Sequence, residues 1–169
     1  MMTVHELLAE LRFLLQREKE IMGEMLEAAG RQTAALRKND ASLAGKAAGE
    51  LLFLAQQLEL LKESRRRVQS DLARRAGLAE EARLAEVLEA LPPVPDCLEA
   101  RRLADELRLA ALELSAATRL NNLLAQNGLR FCAQLLAAFG QVTVRLYHPA
   151  KGAQETGMPG ALSVLNESV

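Results

Sequence analysis

The stretch 103-LADELRLAALELSAATRLNNLLAQNGLRFCAQLLAA-138 decides the fold. Spacings of four and three alternate along it: Leu103, Leu107, Ala110, Leu114, Ala117, Asn121, Leu124, Gly128, Phe131, Leu135, Ala138. Nine of those eleven positions are apolar and none is charged, which is the seam of a long helix lying lengthwise against other helices. A second apolar strip runs beside the seam: Leu109, Leu112, Ala116, Leu120, Leu123 and Leu136. A helix buried on one side needs an apolar stripe at least about 100° wide, so part of this strip is accountable as ordinary packing.

The helices upstream are legible from their ends. Thr3 followed by Glu6 is a capping box, which starts the first helix at Val4. Its stripe is Val4, Leu7, Leu11, Leu14, Ile21, Met25 and Ala28, interrupted by Glu18. Arg37-Lys38-Asn39-Asp40 reads as a turn: cations suit a helix C-terminus, Asn39 tolerates the left-handed conformation, and Asp40 caps the next helix. The second helix carries Leu51, Leu54, Leu58, Leu61, Val68 and Leu72, with Leu52, Phe53 and Leu60 expected to widen the stripe. So short a link makes the two helices antiparallel neighbours. Ala76-Gly77-Leu78 breaks the second helix, and 80–91 reads as a short third one. Pro92, Pro93 and Pro95 end it, and Asp96 with Glu99 is expected to cap the last helix. Gln141 to Tyr147 alternates and is rich in β-branched residues, the signature of a short strand. The Gly- and Pro-containing segment from His148 to Val169 reads as loose.

The expectation is therefore an all-α chain: a long antiparallel hairpin plus a third long helix in an elongated bundle or coiled coil. Residues 1–140 form the bundle, with helices at about 4–38, 41–76, 80–91 and 97–139. Residues 141–169 form a short β-like segment and a flexible, irregular tail. Composition agrees, since Ala and Leu make up more than a third of the chain and aromatic residues only 3%.

Chemistry is sparse. There is no phosphate-binding glycine loop, and the two histidines, His5 and His148, stand near opposite ends. Cys97 and Cys132 are neither a metal set nor a disulfide framework, which points to a reducing, cytoplasmic setting. No cofactor, metal or catalytic constellation is expected, and the protein is read as a non-enzyme. A net charge of −1 favours neither nucleic acid nor anionic lipid, and Glu59, Glu63 and Asp71 dilute the basic run Arg65-Arg66-Arg67. The longest uncharged stretch, Phe131 to Val144, is shorter than the roughly 20 residues of a membrane span, so no stable membrane insertion is expected. Asn121 in the seam has two readings, an internal hydrogen-bond partner or a contact to a partner helix. The two-helix hairpin does not obviously cover both strips of the last helix, so the second strip is read as a docking groove for another helix.

The layout, together with Asn121-Asn122-Leu123-Leu124 in the last helix and Leu146-Tyr147 and Gly152 after it, resembles the FlgN family. These are flagellar type III export chaperones for hook–filament junction proteins. The sequence departs from the family pattern at Thr118-Arg119, where a first Asn is expected, and at His148-Pro149. The resemblance implies a cytoplasmic binding protein, monomeric or weakly dimeric. It would hold the terminal helical segments of hook-associated proteins and deliver them to the cytosolic domain of the export gate. It marks Asn121 and Asn122 as groove residues, beside Leu109, Leu112, Ala116, Leu120, Leu123 and Leu124, and Tyr147 as the gate-docking residue. The alternative is a homo-oligomeric coiled-coil scaffold whose second strip closes a dimer.

Overall fold

The computed structural model describes residues 2–146, with side chains to 139, and among them the chain is entirely helical with turns. Four helices succeed one another: α1 (Val4–Arg37), α2 (Ala41–Arg75), α3 (Leu84–Ala90) and α4 (Pro95–Leu146). The chain divides into two compact units, residues 1–130 and 131–169.

In the first unit, α1 begins at the expected capping box. Thr3 Oγ1 accepts the Glu6 amide at 3.2 Å, and Glu6 Oε2 accepts the Thr3 amide at 2.6 Å. The tight link to α2 also forms as read: Asn39 takes a left-handed φ of 55°, and Asp40 Oδ1 accepts the Leu43 amide at 2.9 Å. The hairpin is therefore antiparallel, with Arg31 beside Glu50 near the turn and Glu18 beside Arg65 farther along. At the end of α2, Gly77 sits at φ 72°, where only glycine is unstrained, and the Leu78 amide returns to Ala73 O at 2.9 Å.

The last helix lies parallel to α1. Arg12 pairs with Asp96, Lys19 with Glu106, and Asn121 meets Ala29 to Thr33. Leu8, Leu11 and Leu15 of α1, Leu72 of α2, Val87 and Leu88 of α3, and Cys97, Ala100 and Leu103 of α4 make one core. The short α3 thus closes the end of the hairpin where its two termini meet, and it hands the chain to α4. Cys97 is wholly buried, its thiol donating to Leu88 O at 3.4 Å, whereas Cys132 is exposed.

Four expectations are corrected. The strand at Gln141–Tyr147 is absent from the described residues, because α4 continues to Leu146; β-branched side chains cost a helix only a few tenths of a kcal/mol each, less than the gain from extending an existing ladder. Tyr147 and residues 148–169, with the loose tail, lie outside the described residues. The last helix starts at Pro95 rather than at an Asp96 cap. Proline suits the first helical position, where its missing N–H would have no partner. Asp96 Oδ1 instead accepts Arg12 Nε at 3.0 Å, and Glu99 pairs with Arg102. The third helix is shorter than expected, since residues 79–82 form a turn. Finally, Leu52, Phe53 and Leu60 do not widen the buried stripe of α2: they are 63%, 59% and 68% exposed, on the side of that helix turned from its core residues Leu54 and Leu58.

Glu18, the break in the stripe of α1, is buried and held. Arg65 Nε donates to its Oε1 at 2.6 Å and Arg65 Nη1 to Gln69 Oε1 at 3.1 Å, while Gln69 Nε2 reaches Ala82 O at 2.7 Å. Burial pushes the Glu18 carboxyl above its usual range, and Arg65 offsets only part of that rise. A raised folded-state value means that the carboxyl contributes stability below its unfolded value and loses it as pH rises through the folded value. Melting of wild type and Glu18→Gln across about pH 4 to 8 should therefore show the wild type losing ground to the variant as pH rises; parallel curves would reject the account. Arg65→Ala, which strands the buried carboxylate, should cost about 3 kcal/mol in denaturant unfolding at neutral pH.

Candidate functional site

The seam and the second strip part company on α4. Leu103 and Leu107 are buried, Ala110 and Leu114 pack partly against the core, and Asn121 is only 2% exposed. The α1–α4 register, carried on to Arg37, reaches about residue 127, which is why Gly128 is the last seam position with substantial cover. In the second unit, taken by itself, Phe131 and Leu135 of the same seam are exposed.

The second strip faces outward. Leu109, Leu112, Leu120 and Leu123 are 56%, 62%, 40% and 58% exposed, and Ala116 between them is exposed too. The spacings of three, four, four and three put all five on one line, about 140° around the helix from the seam. The line covers about 21 Å of helix. Polar residues close both ends, Arg102 and Asp105 before Leu109, Asn127 and Arg130 after Leu123. Leu136, which the sequence added to the strip, is 73% exposed and belongs to the second unit. The strip is a ridge on one helix rather than a furrow between two. Recesses of the first unit lie at the hairpin turn (Ala35, Leu43, Ala47), along the arginine-rich face of α2 (Arg66, Ser70), and beside α3 (Ala85, Leu88).

The two asparagines separate. Asn122 is exposed beside the strip. Asn121 is turned into the α1–α4 interface and its amide is fully used: Nδ2 donates to Ala29 O at 3.0 Å and to Gln32 Oε1 at 2.9 Å, and Oδ1 accepts from Thr33 Oγ1 at 2.6 Å. Of the two readings of Asn121, the internal partner is the one realised. Leu124 is half-buried on the seam side. Of the residues read as a groove, Leu109, Leu112, Ala116, Leu120, Asn122 and Leu123 are on the surface, while Asn121 and Leu124 support the helix from beneath. Periodicity alone had no means of naming Gln32 and Thr33 as Asn121's partners, because that requires the parallel register of α1 and α4. Tyr147 lies outside the described residues.

Among the described residues no group of His, Cys, Asp and Glu could hold a metal ion, and no helix is long and apolar enough to cross a membrane. What the surface offers is aliphatic area along one helix face, with charges on its margins.

Replacing Asn121 with Leu strands the Ala29 carbonyl, Gln32 and Thr33 in a buried place. Unmade buried hydrogen bonds cost about 1–3 kcal/mol, so Asn121→Leu should lower unfolding stability by that order despite its larger apolar area. A gain in stability would show that the amide cluster is not holding α4 to α1.

The family model described as FlgN protein matches residues 1–155, nearly the whole chain. No curated protein and no solved structure matches.

Proposed function

The chain belongs to the FlgN family, a family of flagellar export chaperones, and on that premise we propose that the α4 strip is the surface on which it holds its clients. The clients are the terminal helical segments of hook–filament junction proteins. They are bound in the cytoplasm, kept from assembling prematurely, and delivered to the cytosolic domain of the export gate. One observation carries this reading: Leu109, Leu112, Leu120 and Leu123 stay on the surface although the seam of the same helix is covered from Leu103 to Asn121.

A client terminus that forms a coiled coil only after assembly has an apolar stripe at spacings of three and four, and in the cytosol that stripe would self-associate. Lying along α4 it finds the same spacing. A fully buried Leu is stabilised by about 1.5–3 kcal/mol, and these four begin about half covered, so covering them contributes on the order of 1 kcal/mol each. The client's own stripe contributes similarly. Ordering a disordered client takes back about 2–5 kcal/mol. The balance is a moderate affinity, which suits a partner that must let go. The absence of aromatic anchors from the strip points the same way, because tight interfaces concentrate their energy in Trp, Tyr and Arg.

Binding of purified full-length protein to the C-terminal segment of a junction protein is the direct test. Replacing Leu120 and Leu123 together with Glu should abolish saturable binding while far-ultraviolet helicity is kept, since both side chains are at the surface. Retained binding, or a constitutive dimer indifferent to the segment, would overturn the assignment. Tyr147 is proposed as the gate-docking residue. Tyr147→Ala should weaken affinity for the gate's cytosolic domain in a pull-down or titration and leave client binding unchanged; equal gate affinity would remove that role.

A further inference from the structure

Most of the arginines whose side chains are described have a partner. Arg12 pairs with Asp96, Arg31 with Glu50, Arg65 with Glu18 and Arg67 with Glu63. Arg37 is at the C-terminus of α1, where the helix end itself favours a cation. Arg83, just before α3, is exposed and makes no ion pair among the described residues, but three others share one helix. Arg108, Arg119 and Arg130 are all exposed on α4, and none makes an ion pair among the described residues. Asp105 stands three residues before Arg108 without pairing to it, whereas on the other edge of the helix Arg102 bridges both Glu99 and Glu106.

Their spacing is regular. The three arginines are eleven residues apart, and three turns of helix take 10.8 residues, so they form a nearly straight row. Consecutive members are about 16 Å apart. The row runs along one margin of the apolar strip: Arg108 lies one turn before Leu112, and Arg119 lies one turn before Leu123 and three residues after Ala116. Arg130 stands where the strip ends. Ser115 and Asn122 fill the intervals on that margin with neutral groups, and the acid nearest the middle of the strip, Glu113, is on the opposite margin. The chain as a whole carries a net charge of −1, so this row is a local feature and not part of a general basic surface.

We propose that the row Arg108, Arg119 and Arg130 selects for partner helices with an acidic edge: amphipathic segments whose apolar residues recur at three and four, and whose Asp or Glu residues recur every three turns on one margin. This rests on the α4 strip being the client surface and adds a rule for which clients it takes. A helix laid on the strip brings one of its margins against the row. Carboxylates there meet three cations that have no competing ion-pair partner among the described residues, whereas a basic margin meets repulsion. Rim charges of this kind set selectivity and encounter rate more than they set total affinity. A chaperone whose apolar strip accepts any aliphatic stripe gains discrimination from the margin.

The test uses the full-length protein and three synthetic helical peptides of about 21 residues, long enough to reach along the row's neighbours. The peptides share one leucine stripe and differ only on one margin, which carries Glu, Gln or Lys at eleven-residue spacing. By fluorescence anisotropy at low salt, the Glu peptide should bind about five- to tenfold more tightly than the Gln peptide, the Lys peptide more weakly than either, and the order should flatten as salt is raised. Arg108→Glu combined with Arg119→Glu should reverse the preference between the Glu and Lys peptides at unchanged helicity. Equal affinity for all three peptides would overturn the charge rule and leave the strip's role in client binding standing. If no peptide binds while the junction-protein segment still binds in a manner sensitive to Leu120 and Leu123, the rule again fails alone. If the junction-protein segment also fails to bind, both readings fall together.

Discussion

Everything on the outside of this protein follows from the narrow seam by which α4 lies on α1. From Leu107 to Asn121 that seam is narrow on the α4 side: between them only Ala110, Leu114 and Ala117 are covered, each in part. A helix gripped along so thin a line keeps most of its circumference free. The free part is not left polar, as it would be in a helix whose only task is to close a bundle. It carries a second aliphatic line. The seam holds α4 to α1 in one register, and helix geometry gives the exposed line its regular spacing.

Two polar contacts keep the register on which this depends, and both involve α1. The Glu18–Arg65 pair ties α1 to α2, and Gln69 extends it to the turn before α3. The Asn121 cluster ties α1 to α4 about two turns short of the end of α1. Neither is the most stabilising way to join a helix pair, since apolar residues of similar volume are often as good or better. Aliphatic seams of Leu and Ala, however, can slide by a turn at little cost. An amide whose two donors and one acceptor are all met by Ala29, Gln32 and Thr33 is satisfied in one register alone. The polar groups thus specify where the strip of α4 stands, and the leucines supply the cohesion.

Local signals were legible wherever the deciding chemistry lay within a few residues. Thr3 with Glu6, Asn39 with Asp40, and Gly77 each set a helix end by contacts inside one turn, and each formed as read. The failures share a cause. Asp96 looked like a cap because it is acid and comes after prolines, but Arg12, far away in sequence, takes its carboxylate while Pro95 already starts the helix. Leu52, Phe53 and Leu60 looked like core because they flank a buried stripe, yet only the placement of the neighbouring helices decides which flank is covered. Gln141 to Tyr147 reads as a strand because β-branched residues alternate, whereas the helix arriving from upstream has already met the cost of nucleation and continues to Leu146. For the candidate site, the pattern separated the packed seam of α4 from the second strip left outside it; how far along α4 the seam is covered depends on the parallel register with α1, which no single helix encodes.

The boundaries of the exposed line let it be aliphatic without being a hazard. An apolar patch on a flexible or poorly bounded surface recruits whatever is near. Here the line is five residues long, is closed by charged or amide side chains at both ends, and is edged on one margin by cations three turns apart. A second copy of α4 laid antiparallel across it would set Arg108 and Arg119 near their own counterparts or beside neutral Ser115 and Asn122, so the margin disfavours self-pairing. A foreign helix with carboxylates on the facing edge removes that repulsion as it covers the leucines. On the client-binding reading proposed above, cohesion from the strip and exclusion from the margin act on different classes of partner.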